Sequence, residues 1–286
     1  MPLSRRQFLK ASLYSAVAAG TVGISSHTQT GAAMPEQIEI VPVELTLPRL
    51  APAFDGYRMV QISDIHMGTG MNQDSLTDVV HLINAQQPDL VAITGDFVTH
   101  GDVRHYAPAL IEPLSQLQAR DGVVCVMGNH DFWTDAGMMR EVVRASHITD
   151  VSNSHITLER DHSLLHIAGV DTIWYQQDRL DLVLESLPDS GAAVLLAHEP
   201  DFADTSAASG RFDLQISGHS HGGQVVIPFV GPPVTPRHGQ KYVAGQYQVG
   251  SMIQYTNRGI GTAWPPVRFN CPPEITVFTL RAAGAA

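Results

Sequence analysis

The chain has 286 residues, 44% of them hydrophobic, with 28 acidic and 17 basic side chains and a formal charge of −11. That length and apolar content suit one large α/β domain or two small ones around a sizeable core. The acidity excludes binding of nucleic acid or anionic lipid by bulk electrostatics, and two cysteines exclude a disulfide framework.

Residues 1–33 read as a targeting segment. Ser4-Arg5-Arg6-Gln7-Phe8-Leu9-Lys10 matches the twin-arginine export consensus. A short, weakly apolar stretch from Ala11 to Ile24 follows, then the small residues Gly31-Ala32-Ala33 suited to cleavage. Export would make the twin-arginine translocase a partner and place the mature chain in the periplasm, the cell wall or at the membrane. An uncleaved segment would instead leave it anchored on the membrane surface. Residues 34–56 form an extended, Pro-rich lead-in, with loose alternation over 37–47 that predicts an edge strand.

From Tyr57 onward apolar runs alternate with helical periodicity, and polar motifs stand where the apolar runs end. Tyr57–Ser63 predicts a strand entering Asp64-Ile65-His66; residues i and i+2 point to one side of an extended chain, so Asp64 and His66 are expected to face the same point. A carboxylate beside an imidazole suits a divalent ion of intermediate softness. Asp74 is expected to cap a helix carrying Leu76, Val79, Val80 and Ile83 at helical spacing. Leu90–Thr94 predicts the second strand, with Gly95-Asp96 at its tip; a carboxylate can bridge two ions, which an imidazole cannot. A helix is predicted over 106–117. The apolar run Val123–Met127 then leads into Gly128-Asn129-His130-Asp131, offering a neutral oxygen ligand, a titratable imidazole and a carboxylate able to orient it. Trp133 is expected to pack beside that motif.

A helix over 135–146 and strands over 149–158 and 164–168 follow, then a helix over 178–187. Two further strands, 192–197 and 213–217, run into His198 and into Gly218-His219-Ser220-His221-Gly222-Gly223. Residues 225–286 change texture. They predict short strands at 242–244, 246–249, 252–255 and 275–280, with a Pro/Gly-rich surface loop over 228–239. Arg237, His238 and Arg258 are candidate phosphate contacts in this otherwise acidic body. Cys125 reads as a buried free thiol, and a bridge from it to Cys271 is left open.

In order, Asp64-x-His66, Gly95-Asp96, Gly128-Asn129-His130-Asp131, His198 and Gly218-His219-x-His221 resemble the calcineurin-like metallophosphoesterase family. The first three motifs are 32 residues apart. The segments Thr256–Gly261, Pro266–Phe269 and Pro273–Ile275 look like a bacterial branch of it that includes exported phosphodiesterases and UDP-diacylglucosamine pyrophosphatases. The resemblance implies a metallophosphoesterase domain over 57–286, folded as a four-layer α/β/β/α sandwich with two divalent ions (Mn, Fe or Zn) at one edge. It implies that Asp64, His66 and His221 hold one ion and Asn129, His198 and His219 the other, with Asp96 between them. It makes His130 the general acid, with Asp131 orienting it, in hydrolysis of a phosphodiester or pyrophosphate. A phosphomonoesterase, or a catalytically silent metal-binding scaffold, would carry the same core.

Overall fold

The computed structural model describes residues 29–30 and 38–284. The export motif and most of the segment around it lie outside the described residues. Two six-stranded sheets stack face to face. The first has the order β2 (Glu39–Leu47), β14 (Glu274–Ala282), β3 (Tyr57–Ile62), β4 (Leu90–Ile93), β5 (Val123–Cys125), β6 (Thr149–Asp150). The second has the order β11 (Gly245–Val249), β12 (Met252–Thr256), β10 (Leu214–Ser217), β9 (Ala192–Leu196), β8 (Ser163–Gly169), β7 (Ser154–Arg160). A two-residue ladder joins β1 (Gln29–Thr30) to β13 (Val267–Arg268). The helices are α1 (Gln73–Ala85), α2 (Val103–Leu114), α3 (Asn129–Thr134), α4 (Ala136–Ala145), α5 (Leu180–Ser186) and α6 (Ala203–Ala208).

The pleat explains the four layers. In β4, Leu90 and Ala92 face the space between the sheets, while Val91 and Ile93 face α1 and α2. In β9, Ala192, Val194 and Leu196 face the first sheet, while Ala193 and Leu195 pack toward Val183 of α5 and Ala203 of α6. Strands buried on both faces carry continuous apolar runs, as sheets covered by helices require. The lead-in belongs to this architecture, since β2 pairs in parallel with β14 along its whole length, from Glu39 opposite Glu274 to Leu47 opposite Ala282.

Several local expectations are corrected. Asn72, not Asp74, caps α1, accepting a hydrogen bond from Ser75 N. The helix expected over 106–117 begins three residues earlier because Asp102 caps it, accepting from Arg104 N. The strand expected over 149–158 is two strands in different sheets: β6 closes the first, then the turn at 151–153 carries the chain to β7 in the second. Residues 242–244 form no strand. Tyr242 N and the two residues before it donate instead to the Asp201 carboxylate.

The core strands β3, β4, β5 and β6 are parallel, as are β8, β9, β10 and β12. Their C-terminal ends meet at one edge of the sandwich, where ligands bind in parallel α/β sheets. Buried Gln61 ties the sheets together there, its amide donating to Thr94 Oγ1 at 2.9 Å and Ser217 O at 3.0 Å.

Candidate metal centre and active site

Asp64 and His66 follow β3, Asp96 follows β4, Asn129 and His130 follow β5, His198 follows β9, and His219 and His221 follow β10. These side chains, from five strand ends, converge on one buried cluster. Asp64, His66 and His221 form one trio with ligand atoms within 4.8 Å of one another, and Asp96, His198 and His219 form another. Asp96 lies between them, with Oδ2 3.6 Å from His66 Nε2 and 3.2 Å from His198 Nε2.

The backbone reason differs from the extended-chain expectation. Asp64, His66, Asp96, His219 and His221 all have positive φ, from 50° to 66°. Alternation therefore does not align Asp64 with His66, and His219 and His221 turn into different trios. Each such non-glycine residue costs on the order of 1–2 kcal/mol, and strain of this kind persists where the surroundings over-determine it. Here they do: Asp64 N donates to Gly95 O at 2.9 Å, His66 N to Asp96 O at 3.0 Å, and Gly261 N to Asp64 O at 2.8 Å. Gly95 must stay bare, because a Cβ there would lie 2.6 Å from Gly128 N and 2.8 Å from His198 Nδ1.

Outer contacts fix which imidazole nitrogen faces the cluster. His198 Nδ1 is bonded to Thr94 O at 2.6 Å, leaving Nε2 inward. His219 Nε2 is bonded to Arg237 O at 2.8 Å, leaving Nδ1 inward. His66 Nδ1 contacts Thr99 Oγ1 at 3.1 Å, while its Nε2 lies 3.0 Å from His221 Nε2. His221 Nε2 is in turn 3.2 Å from Asp64 Oδ1.

The donor set fits divalent cations. Asn129 Oδ1 and His198 Nε2 are buried without a hydrogen-bond partner among the described residues; His198 Nε2 is near Asp96 but outside bonding geometry. Buried polar atoms are otherwise nearly always paired. Burial, reinforced by His221, lowers His66 to about 3, so it is neutral, as a metal ligand must be. Burial opposes ionisation of Asp64 and Asp96, yet neighbouring imidazoles (His221 for Asp64, His198 for Asp96) draw both carboxyls below the usual range.

His130 and Asp131 part company. Asp131 does not touch the His130 imidazole. Its Oδ2 accepts from Asp96 N and Gly128 N, each at 2.9 Å, and its Oδ1 from Phe97 N at 2.9 Å and Val98 N at 3.4 Å. It clamps two strand ends together, which corrects its expected orienting role. Burial and then Asp96 push the Asp131 carboxyl up to about 7, against the pull of the amide donors. His130 Nδ1 is instead bonded to Thr99 O at 2.6 Å. A carbonyl only accepts, so Nδ1 carries the hydrogen and Nε2 is left to exchange a proton. The ring packs edge-on between His66 at 4.8 Å and Trp133 at 4.3 Å. His66, Asp96 and His130 form a further trio, but Thr99 already occupies one His130 nitrogen.

Outside the cluster lies a pocket of about 220 Å³, lined by Asp96, Asn129, His130, His219 and His221 and by all three tryptophans of the chain, Trp133, Trp174 and Trp264. Trp174 and Trp264 were invisible as site residues, because no motif surrounds either. Trp174 sits edge-on to Trp133 at 5.5 Å and to His238 at 5.8 Å. The Arg237 side chain is exposed beside the rim. Arg258, expected to contact substrate, is corrected: it pairs with Glu274 and with Glu39 at 2.8 Å and does not line the pocket. Fully buried Arg268 donates to the carbonyls of Arg258, Gly259, Gly261 and Cys271, bracing the loop that supports Asp64. Cys125 and Cys271 are both free and buried, and Cys271 Sγ donates to His221 O at 3.2 Å.

Comparison with known protein families matches residues 57–223 to the calcineurin-like phosphoesterase family. The chain is 36% identical over 288 residues to the uncharacterized metallophosphoesterase YkuE of Bacillus subtilis, covering 98% of each chain. It is 28% identical over 285 residues to the phosphodiesterase YaeI of Escherichia coli, covering 97% of this chain and 99% of that one. It is 30% identical over 263 residues to a transmembrane protein with metallophosphoesterase domain of Danio rerio, covering 86% of this chain and 58% of that one.

Proposed function

The chain belongs to the calcineurin-like phosphoesterase family and is a phosphoester hydrolase, and from that premise we propose that it is an exported enzyme that uses two divalent cations to hydrolyse a phosphodiester or pyrophosphate bond. Asp64, His66 and His221 would hold one cation, Asn129, His198 and His219 the other, and Asp96 both. Bound there, such a pair supplies Lewis acidity to the phosphoryl group and makes hydroxide available near neutral pH.

The chain's own residues supply the rest. His130, held by Thr99 O through Nδ1, presents Nε2 to the pocket and delivers a proton to the leaving oxygen. General acid help of this kind contributes about 10²–10⁴ in rate. Trp133 fixes the imidazole plane, and with Trp174 it gives the pocket an apolar wall. The observation that carries this reading is the convergence of two carboxylates and four imidazoles from separate strands on one buried cluster containing orphaned ligand atoms. A soluble aryl phosphodiester tests it: turnover should vanish with chelator and return with Mn, Fe or Zn. Turnover indifferent to chelation would refute it.

Export by the twin-arginine route is supported by Ser4–Lys10. Such a route would deliver a folded, metal-loaded enzyme to cell-envelope or lipid-linked phosphates. The relative described as a transmembrane protein is consistent with work near a membrane. Replacing Arg5 and Arg6 with Lys should hold the protein in the cytoplasm; unchanged localisation would refute the route.

A further inference from the structure

Among the described residues seven large hydrophobic side chains are exposed, and the three most exposed are Phe229 at 109%, Trp264 at 83% and Val230 at 75%. Of the other four, at 46% or less, Trp133 lines the same pocket as Trp264, and Ile40, Tyr175 and Leu182 do not. Singly exposed apolar groups are ordinary, but these three are not scattered. They occupy two loops that share a base at the pocket mouth. Gln224 Nε2 donates to Ala263 O and Pro265 O, its Oε1 accepts from Ala263 N, and Val226 N donates to Phe269 O. Trp264 and Val234–Pro236, just beyond the 227–231 turn, both line the pocket.

The turn is built to hold an aromatic outward. Ile227 N donates to Gly231 O, while Val230 N and Gly231 N both donate to Ile227 O. The tip therefore satisfies much of its own backbone, as a segment entering an apolar medium must. Phe229 sits at φ 67°, where a bulky side chain is a genuine outlier and glycine would be at ease. A strained aromatic with no packing partner among the described residues contributes nothing to their packing, so the strain points to a task outside it.

Charge supplies the complement. No Asp or Glu occurs from Leu214 to Pro273; of its four basic residues, Lys241 and Arg258 are held in ion pairs and Arg268 is buried, which leaves Arg237, exposed beside the rim. This segment builds one side of the mouth, and a phosphate-rich surface meets no acidic side chain from it.

We propose that the loops Ile227–Gly231 and Ala263–Pro265 dock the enzyme on a phospholipid bilayer, inserting Phe229, Val230 and Trp264 at headgroup level so that the pocket opens onto the membrane. Trp is favoured at that depth, and narrow protruding tips suit a fluid surface better than a protein partner, whose interface core is a well-packed patch. Docking deepens the phosphoester reading and rests on it for its purpose: the substrate would be a lipid phosphoester presented at the interface.

The test compares the full chain with Phe229→Ser/Val230→Ser, so any membrane contribution of the N-terminal segment is common to both. Binding is measured by co-sedimentation with equimolar phosphatidylcholine and phosphatidylglycerol vesicles, and Trp264 insertion by quenching with brominated phosphatidylcholine, assigned with Trp264→Phe. The double variant should bind roughly tenfold more weakly or worse, with turnover of a soluble aryl phosphodiester unchanged. Phe229→Gly should lose binding too while keeping or raising thermal stability, which separates lost insertion from misfolding. Equal binding by wild type and variants, or no bromine quenching of Trp264, overturns docking. So does a wild-type dimer that the double variant dissolves without any vesicle binding. Failure of wild type to turn over the soluble diester would instead sink the phosphoester reading and leave docking to stand on the vesicle data.

Discussion

Asp131→Asn separates the two roles that a carboxylate in this position could play. The side chain keeps its shape but exchanges one acceptor oxygen for an NH2 group. In the native chain Oδ2 accepts from Asp96 N and Gly128 N, and Oδ1 from Phe97 N, all at 2.9 Å. The amide will turn its oxygen toward the two donors on the Oδ2 side. Phe97 N and, more distantly, Val98 N then face another donor inside a fully buried site. An unsatisfied buried group costs about 1–3 kcal/mol, and the surviving bonds lose their charge assistance. We expect a loss of about 2–4 kcal/mol in urea unfolding of the metal-loaded protein. At about 2–4 °C per kcal/mol the midpoint temperature should fall by roughly 5–15 °C. Because Asp131 does not contact the imidazole, kcat below the transition should fall less than about tenfold. Wild-type stability with a hundredfold loss of kcat would show that Asp131 orients His130 after all.

Other residues make separate predictions. His130→Ala should lower kcat by about 10²–10⁴ while leaving metal content unchanged by elemental analysis; loss of metal would make His130 a ligand. Asp96→Ala should reduce binding of both cations, and full occupancy in that variant would remove its bridging role. Arg268→Met strands several buried carbonyls, so it should cost at least about 3 kcal/mol and weaken the cation site containing Asp64; an unaltered unfolding curve would contradict the bracing role. Both thiols should react with Ellman's reagent only after unfolding, and reducing agent should not move the midpoint temperature.

Much of the fold was legible because both sheets are covered, so β4 and β9 had to be continuous apolar runs. The ligand residues stood out for a related reason: each follows a strand end, the one place where a polar cluster interrupts those runs. Their conformation was not legible. Asp64, His66, His219 and His221 adopt left-handed backbone that no spacing rule announces, and contacts distant in sequence, such as Gly261 with Asp64, hold it. The role of Asp131 was misread because a carboxylate next to a histidine suggests a pair, whereas four buried backbone amides hold it. Arg258 was misread for want of knowing that Glu39 and Glu274 lie together on β2 and β14. The break between β6 and β7 was hidden because one run of alternating residues serves two sheets.

Metal stoichiometry tests the central claim most directly. Apo protein titrated with Mn²⁺ and followed by elemental analysis and aryl-diester turnover should take up two ions per chain. Asp64→Ala/His221→Ala should remove one of them, and activity should fall with it. Activity that persists with one ion or none would contradict the account.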